Sequence, residues 1–273
     1  MNRRTISRFV VEAASVLLSL SILIPFFMVV INSLKDLAGS AEMSLTLPKI
    51  WHFENYVTVY REANILQAFK NSFVISFAAV AGLVIFSAMA GYVLQRRKNK
   101  FTEMVNLAIM LGLVVPMFII PTYVLAKNLH LTGGLEGMIL VCIAINFPIG
   151  VFLFSGYYKT IPKEIDESAL LDGCGPYSLF FRIILPLLMP ITATNIVIQF
   201  LSVWNDFGTS IYFLNSQANY NLIMTTFLFF GTHSADWNYV FADLVFISVP
   251  VIIMYLFFQR FVISGLTNGA VKG

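Results

Sequence analysis

PKEIDESALLDGCGPYSLFFRIILPLLMP, residues 162–190, lies between two long apolar runs and decides how the rest of the chain is read. It carries too many charges to cross a bilayer, and its prolines and glycines punctuate it as two short helices. Pro162 can open a helix at its first position, where the missing N–H has no partner to lose, and Gly173 can close it in the left-handed conformation that other residues avoid. Pro176 opens a second helix, while Pro186 and Pro190 mark the change to the next apolar run. The punctuation predicts a helix–Gly–helix element on a membrane surface.

The composition of the whole chain agrees. Of 273 residues, 58% are hydrophobic and 11% charged, and the mean hydropathy is +0.82, outside the range of soluble domains. The chain reads as an all-α integral membrane protein. A net charge of +3 gives no reason to invoke nucleic acid. Cys142 sits in an apolar run and Cys174 in the polar stretch, so no disulfide framework or metal cluster is expected.

Six apolar runs follow one another. Arg3, Arg4 and Arg8 precede the first, about 10–31, which is long enough to span a hydrocarbon core. Basic residues also precede the apolar region of a signal peptide, and Ala38-Gly39-Ser40 faintly resembles a cleavage site, but the run is too long for that reading and retention is expected. Residues 32–70, with Pro48, Trp51 and Tyr56, form the first large loop. The second run covers 71–94, where Ala78/Gly82 and Ser87/Gly91 are each four apart and permit close helix contact. A basic cluster of Arg96, Arg97, Lys98 and Lys100 follows. The remaining runs cover 104–126, 137–158, 187–214 and 239–262, with Gly133 and Gly134 in the turn between the first two of these. The expectation is one domain over 1–273 with six transmembrane helices, both termini on one side, and the polar loop 159–186 between spans four and five.

Placing the N-terminal tail, the 96–103 loop, the 159–185 loop and the C-terminal end on one face gathers twelve of the seventeen Lys and Arg there. By the positive-inside rule that face is cytoplasmic. Loops 32–70 and 215–238 then face outward.

From Glu167 the sequence reads E-S-A-L-L-D-G, then nine residues, then I-I-L-P at 183–186. It resembles the EAA signature of ABC importer permeases: E-A-A, three residues, G, nine residues, I-x-L-P. Every spacing is kept; Ser168 stands in for an alanine, and Cys174 stands where alanine is common. The six-span arrangement also matches. The ending FFQRFVISGLTNGAVKG resembles the C-terminus of carbohydrate-importer permeases of the maltose-transporter type, the shorter of the paired permeases, with Asn268 departing from the small residue often found there. The resemblance implies a permease subunit working as a heterodimer with a second permease, two ATPase subunits carrying ATP and Mg, and an extracytoplasmic solute-binding protein. It implies a saccharide substrate, a bacterial-type plasma membrane and no cofactor bound by this chain. It also implies that the loop is a coupling helix seated in a cleft of the ATPase, with Glu167, Ser168, Ala169, Asp172 and Gly173 as its coupling residues.

The residues of the loop are compatible with that use. Glu164, Glu167 and Leu171 are spaced three and four apart, as are Ile165, Ala169 and Asp172, so a short helix here has distinct faces. Small side chains at Ser168 and Ala169 allow close approach, Gly173 allows a sharp turn, and Glu167 and Asp172 could accept hydrogen bonds. The plainer alternative is a solvated connector whose glycine merely ends a helix. No G-x-x-x-x-G-K-[S/T], H-E-x-x-H or G-x-S-x-G occurs, and His52, His130 and His233 are scattered, so ATP hydrolysis is expected on a partner and an intramembrane enzyme has no support.

Asn195, Gln199, Ser202 and Asp206 follow steps of four, three and four and fall on one helical face of the fifth run. Such a stripe suits a hydrophilic path, since amides and a carboxylate can exchange hydrogen bonds with sugar hydroxyls. It equally suits polar groups that satisfy one another, because unpaired groups in hydrocarbon are costly. Pro116, Pro121 and Pro148 predict kinks or breaks in spans three and four, and Asn146 lies beside the last of them. Tyr92, Tyr123 and Tyr212 read as interface anchors or path lining, and Asp243 as a carboxylate near water at the outer start of span six. The 215–238 loop, with Asn219, Tyr220, Asn221, His233 and Trp237, is a candidate contact for a binding protein or a plain solvated loop. Two further readings stay open: an importer for another solute such as a polyamine or amino acid, and a channel or membrane sensor that needs no ATPase.

Overall fold

A computed structural model describes the backbone of residues 3–231 and 235–270, and within it the side chains over 11–257 and at 259. Regular structure among the described residues is helical, apart from one isolated bridge between Phe230 and Ala235. In chain order the helices are α1 (Arg3–Asn32), α2 (Leu37–Ala41), α3 (Glu54–Glu62), α4 (Ile65–Arg96), α5 (Lys100–Val114), α6 (Ile119–Asn128), α7 (Leu135–Tyr158) and α8 (Glu164–Leu171). They continue with α9 (Pro176–Leu187), α10 (Met189–Trp204), α11 (Phe207–Phe213), α12 (Leu222–Thr225) and α13 (Trp237–Ala270). The middle of α9, Leu179–Ile184, widens to π-helical geometry.

Four of these are long and apolar enough to cross a membrane: α1 over Val11–Asn32, α4, α7, and α13 over Trp237–Phe257. The first, second, fourth and sixth predicted spans are thus continuous helices. The other two are divided. Run 104–126 becomes α5 and α6, because Pro116 offers no N–H and pushes Val115 out of the helical region, to φ −77° and ψ 119°. Pro121 falls in the first turn of α6, where its missing N–H has no intrahelical use, and Pro148 is carried inside an uninterrupted α7. Run 187–214 becomes α10 and α11, separated at Asn205 and Asp206, while α9 and α10 meet at a bend of 78° that would make them together a fifth crossing.

The chain forms two compact units, one of 1–66 with 224–250 and the other of 67–223 with 251–273. The first is organised by Asn55, which is buried. Its Nδ2 donates to the carbonyls of Ser33 and Lys35, each at 2.9 Å, and its Oδ1 accepts from Asn238 Nδ2 at 3.0 Å. Tyr56 adds a bond to Ser33 Oγ at 2.6 Å and an edge-on ring contact with Phe246. These bonds tie the end of α1 to α3 and to the first turns of α13. Side chains of α1 such as Leu17, Leu18 and Ile22 point away from this unit and present a bare apolar surface.

The second unit has a core that includes Ile75, Ala79, Met138, Cys142, Val203 and Phe213. Its close approaches use the small residues the sequence marked. A Cβ at Gly91 would lie 3.2 Å from Phe154 Cβ, and a Cβ at Gly150 would lie 2.4 Å from Ser87 Oγ, so the Ser87/Gly91 pair sits where α4 crosses α7. Tyr158, fully buried, closes that crossing by donating its hydroxyl to Ala88 O at 2.9 Å. The Ala78/Gly82 pair is half used: Gly82 faces Ile143, and Ala78 is exposed.

Candidate functional site

The loop between α7 and α10 has the predicted helix–Gly–helix shape, and its local chemistry explains each end. The Lys163 carbonyl accepts the N–H groups of Asp166 and Glu167 at 2.9 and 3.1 Å, and Glu164, Asp166 and Glu167 place negative charge in the first turn of α8, where the helix dipole favours it. Pro162 lies two residues before the helix rather than at its first position. Asp172 is the C-terminal cap. Gly173 follows at φ +79°, with its N–H on Leu170 O at 3.1 Å and the Cys174 N–H on Ala169 O at 3.0 Å, the paired bonds of a left-handed glycine cap. Among the described residues, no atom beyond its chain neighbours lies within 4 Å of where a Gly173 Cβ would stand, so conformation rather than crowding demands glycine here. Pro176 then opens α9, as its fixed φ suits.

Around α8 the faces separate. Glu164, Glu167, Ser168, Leu170, Leu171 and Asp172 are exposed, whereas Asp166 and Ala169 are buried. Glu167, Ser168, Asp172 and Gly173 therefore share one open surface. Ala169 does not belong to it: two positions beyond Glu167 on a 3.6-residue repeat, it turns toward the chain's own bundle at 4% exposure. Two apolar residues also stand on the open side, Leu171 at 89% and Tyr177 at 78% exposure; the sequence spacing put Leu171 on a face with Glu164 and Glu167 without naming it as a contact, and passed over Tyr177. Their signal was available in a large apolar side chain beside a polar helix with no span to bury it. A cavity of about 320 Å³ lies next to them, lined by Tyr92, Arg96, Arg97, Leu170, Tyr177 and Phe180 among others.

The polar stripe resolves into three environments. Asn195 and Gln199 are buried, at 1% and 0% exposure, and Gln199 Nε2 donates to Asn146 O at 3.3 Å. Ser202 is exposed and donates to Asn146 Oδ1 at 2.9 Å, while Asn146, half-buried, donates back to Cys142 O at 2.9 Å. Asp206 leaves the stripe altogether. The spacing argument assumes a continuous helix, but α10 ends at Trp204, and the Asp206 carboxylate caps α11 by accepting the Thr209 N–H at 2.9 Å. Buried polar atoms of Ser87, Thr192, Asn195 and Gln199 lack a hydrogen-bond partner among the described residues, so polar groups run through the interior of this unit as well as along its surface.

A family model described as "Binding-protein-dependent transport system inner membrane component" matches residues 83–268, which take in α7, the whole loop and α10. The chain belongs to that family. It is 30% identical over 274 residues to a probable starch degradation products transport system permease protein of Thermoanaerobacterium thermosulfurigenes, covering 100% of both chains. It is 31% identical over 273 residues to a melibiose/raffinose/stachyose import permease protein of Bacillus subtilis strain 168, covering 99% of each, and 32% identical over 263 residues to an arabinooligosaccharides transport system permease protein of the same organism, covering 94% of this chain and 93% of that one. A solved bacterial ABC transporter involved in import of the acidic polysaccharide alginate shares the fold, with a TM-score of 0.80 over 95% of this chain and 98% of that one at 19% identity. The protein is a transport permease and not an enzyme.

One feature of the permease differs from its sequence reading. Asp243 is fully buried rather than near water, and its carboxylate accepts Thr225 Oγ1 at 2.9 and 3.0 Å and Thr226 Oγ1 at 2.8 Å. A charge near a helix start can be drawn inside when neighbouring hydroxyls replace its hydration. Asn219 Nδ2 donates to Gly133 O at 2.6 Å and Asn221 Nδ2 to Ser210 Oγ at 2.8 Å, so these two loop residues are structural ties. Tyr92 packs against Tyr158 and Phe180, and Tyr123 against Tyr212 and Phe213, as ring contacts within the unit. His52 bonds Glu54 at 2.5 Å; the backbone N–H at Glu54 and then His52 hold that carboxyl below its usual range. His130 occupies a turn at φ +57°, and His233 lies outside the described residues.

Proposed function

We propose that this chain, as one functional domain over 1–273, is the shorter permease of a carbohydrate ABC importer. It crosses a bacterial plasma membrane six times, with α5–α6 and the α10–α11 region completing the two broken crossings and both termini in the cytoplasm. The observation that carries this reading is the loop itself: an α8 with one exposed polar side, closed by Gly173 at φ +79°, in a family member whose relatives are named for import of starch products, melibiose/raffinose/stachyose and arabinooligosaccharides. A second permease completes the path, two ATPase subunits hold ATP and Mg, and a binding protein delivers the saccharide. The face of Glu167, Ser168, Asp172 and Gly173, extended by Leu171, sits in the ATPase cleft. Nucleotide-driven closure of the ATPases carries α8 with it and rearranges the spans. Asn146 and Ser202 face the path, and Gln199 and Asn195 stand behind them.

The test is to purify the complex and measure ATP hydrolysis with its binding protein and a panel of saccharides. Copurification of an ATPase and stimulation by at least one oligosaccharide are expected. An ATPase that copurifies but answers only to an amino acid or polyamine would replace the carbohydrate assignment. Solute flux through the chain alone would favour a channel.

A further inference from the structure

Building on that reading, we propose that the Arg96–Asp166 ion pair is the joint through which α8 moves α4, so that these are positioning residues of the transport cycle rather than contacts of the docking face. Asp166 is the one acidic residue of the α8 first turn that turns inward, between the exposed Glu164 and Glu167, and its carboxylate pairs with Arg96 Nε. Both side chains are largely withdrawn from water, at 11% and 13% exposure. The Arg96 Nη2 also donates to the carbonyls of Ile161 and Pro162 at 3.2 and 3.4 Å. One guanidinium at the last residue of α4 thus holds both the connector that leads into α8 and α8 itself. A planar fork of donors suits three acceptors in this way, and a lysine would not.

The geometry makes this pair decisive for α8. That helix has eight residues and buries only Asp166 and Ala169, so the ion pair holds one of its two buried side chains. Each charge also lies at the helix end that favours it, carboxylate in a first turn and guanidinium in a last turn. At the far end of α4, Asn71 Nδ2 donates to the carbonyls of Ala218 and Tyr220 at 2.9 Å each, and Ser72 Oγ accepts the Leu222 N–H at 2.8 Å. From Ser72 to Arg96 a helix runs about 36 Å. A stiff rod therefore joins the docking loop at one end to the 218–222 segment at the other, and displacement of α8 is delivered to the opposite face.

The experiment uses the complete purified complex with its binding protein and compares Arg96→Ala, Asp166→Ala, the double variant and the charge swap Arg96→Asp/Asp166→Arg. Normal membrane accumulation, normal ATPase copurification and unchanged unstimulated hydrolysis are expected in all four. Solute-stimulated hydrolysis and transport should fall about tenfold in each single variant, no further in the double, and recover at least partly in the swap. Full transport in the single variants, additive losses, an unrescued swap that accumulates normally, or loss of membrane accumulation or of the ATPase would each overturn the proposal. Failure of the wild-type complex to bind an ATPase or respond to solute would instead sink the importer reading on which it rests.

Discussion

The α8 loop and the polar run on α10 lie in one unit of the chain, and the fold treats them in opposite ways. In the loop, polar side chains are turned outward on a helix that buries only Asp166 and Ala169. On α10, Asn195 and Gln199 are buried, Gln199 bonded to Asn146 of α7, leaving Ser202 at the surface. Polarity in an apolar chain therefore marks either an exposed surface or an interior seam that lets helices meet through small and polar groups. Spacing alone does not separate the two, because both give side chains three and four apart.

Substitutions can break that contrast, and the largest effect is expected in the seam. Gly150→Val puts a Cβ against Ser87, 2.4 Å from its Oγ and 3.0 Å from its Cβ, with Gln199 Nε2 beyond at 3.6 Å. Overpacking of this kind costs about 1–3 kcal/mol, and a lower thermal unfolding midpoint with reduced membrane yield should record it. In the loop, Gly173→Val has open space but the wrong backbone preference. Strain of about 1–3 kcal/mol is expected to reshape the cap. The outcome should be normal membrane accumulation with solute-stimulated ATP hydrolysis down about tenfold, while Gly173→Asn, which tolerates the left-handed region, keeps most of it.

Smaller effects sharpen the division within the stripe. Asn195→Leu removes a buried amide without a partner among the described residues, so the permease should be as stable or about 1 kcal/mol more stable, with transport retained. Loss of transport at unchanged stability would move Asn195 from packing to path. Ser202→Ala deletes one exposed hydrogen bond to Asn146 and should change stability by less than about 1 kcal/mol. Its expected signature is a shift in the saccharide concentration that half-saturates transport.

Much of this architecture could be read from residue order. Gly173 announced the end of α8 because few other residues accept its backbone, and Pro176 announced α9 because its φ is fixed; both are local effects and survive folding unchanged. The four continuous spans were legible for the same reason, as runs of hydropathy that need no partner to identify. The break after Trp204 was not legible, since no proline or glycine marks Asn205, and the assumption of a continuous helix carried Asp206 onto a face it does not occupy. Ala169 and Asp166 were hidden differently. Which side of a short helix faces the bundle depends on where α4 ends, a long-range fact, and it is Arg96 at that end that draws Asp166 inward. Asp243 looked hydrated because hydroxyl partners eighteen and seventeen positions away cannot be inferred from its neighbours.

The claim at the centre of this account is that the exposed face of α8 is the seat of the ATPase. A photo-reactive amino acid placed at Leu171, the most exposed large apolar side chain of the loop at 89%, tests it in the assembled complex. Illumination should join the permease to the ATPase subunit from position 171 and not from the buried position 195. Capture of no ATPase from position 171 in a complex that still hydrolyses ATP on solute delivery would contradict it.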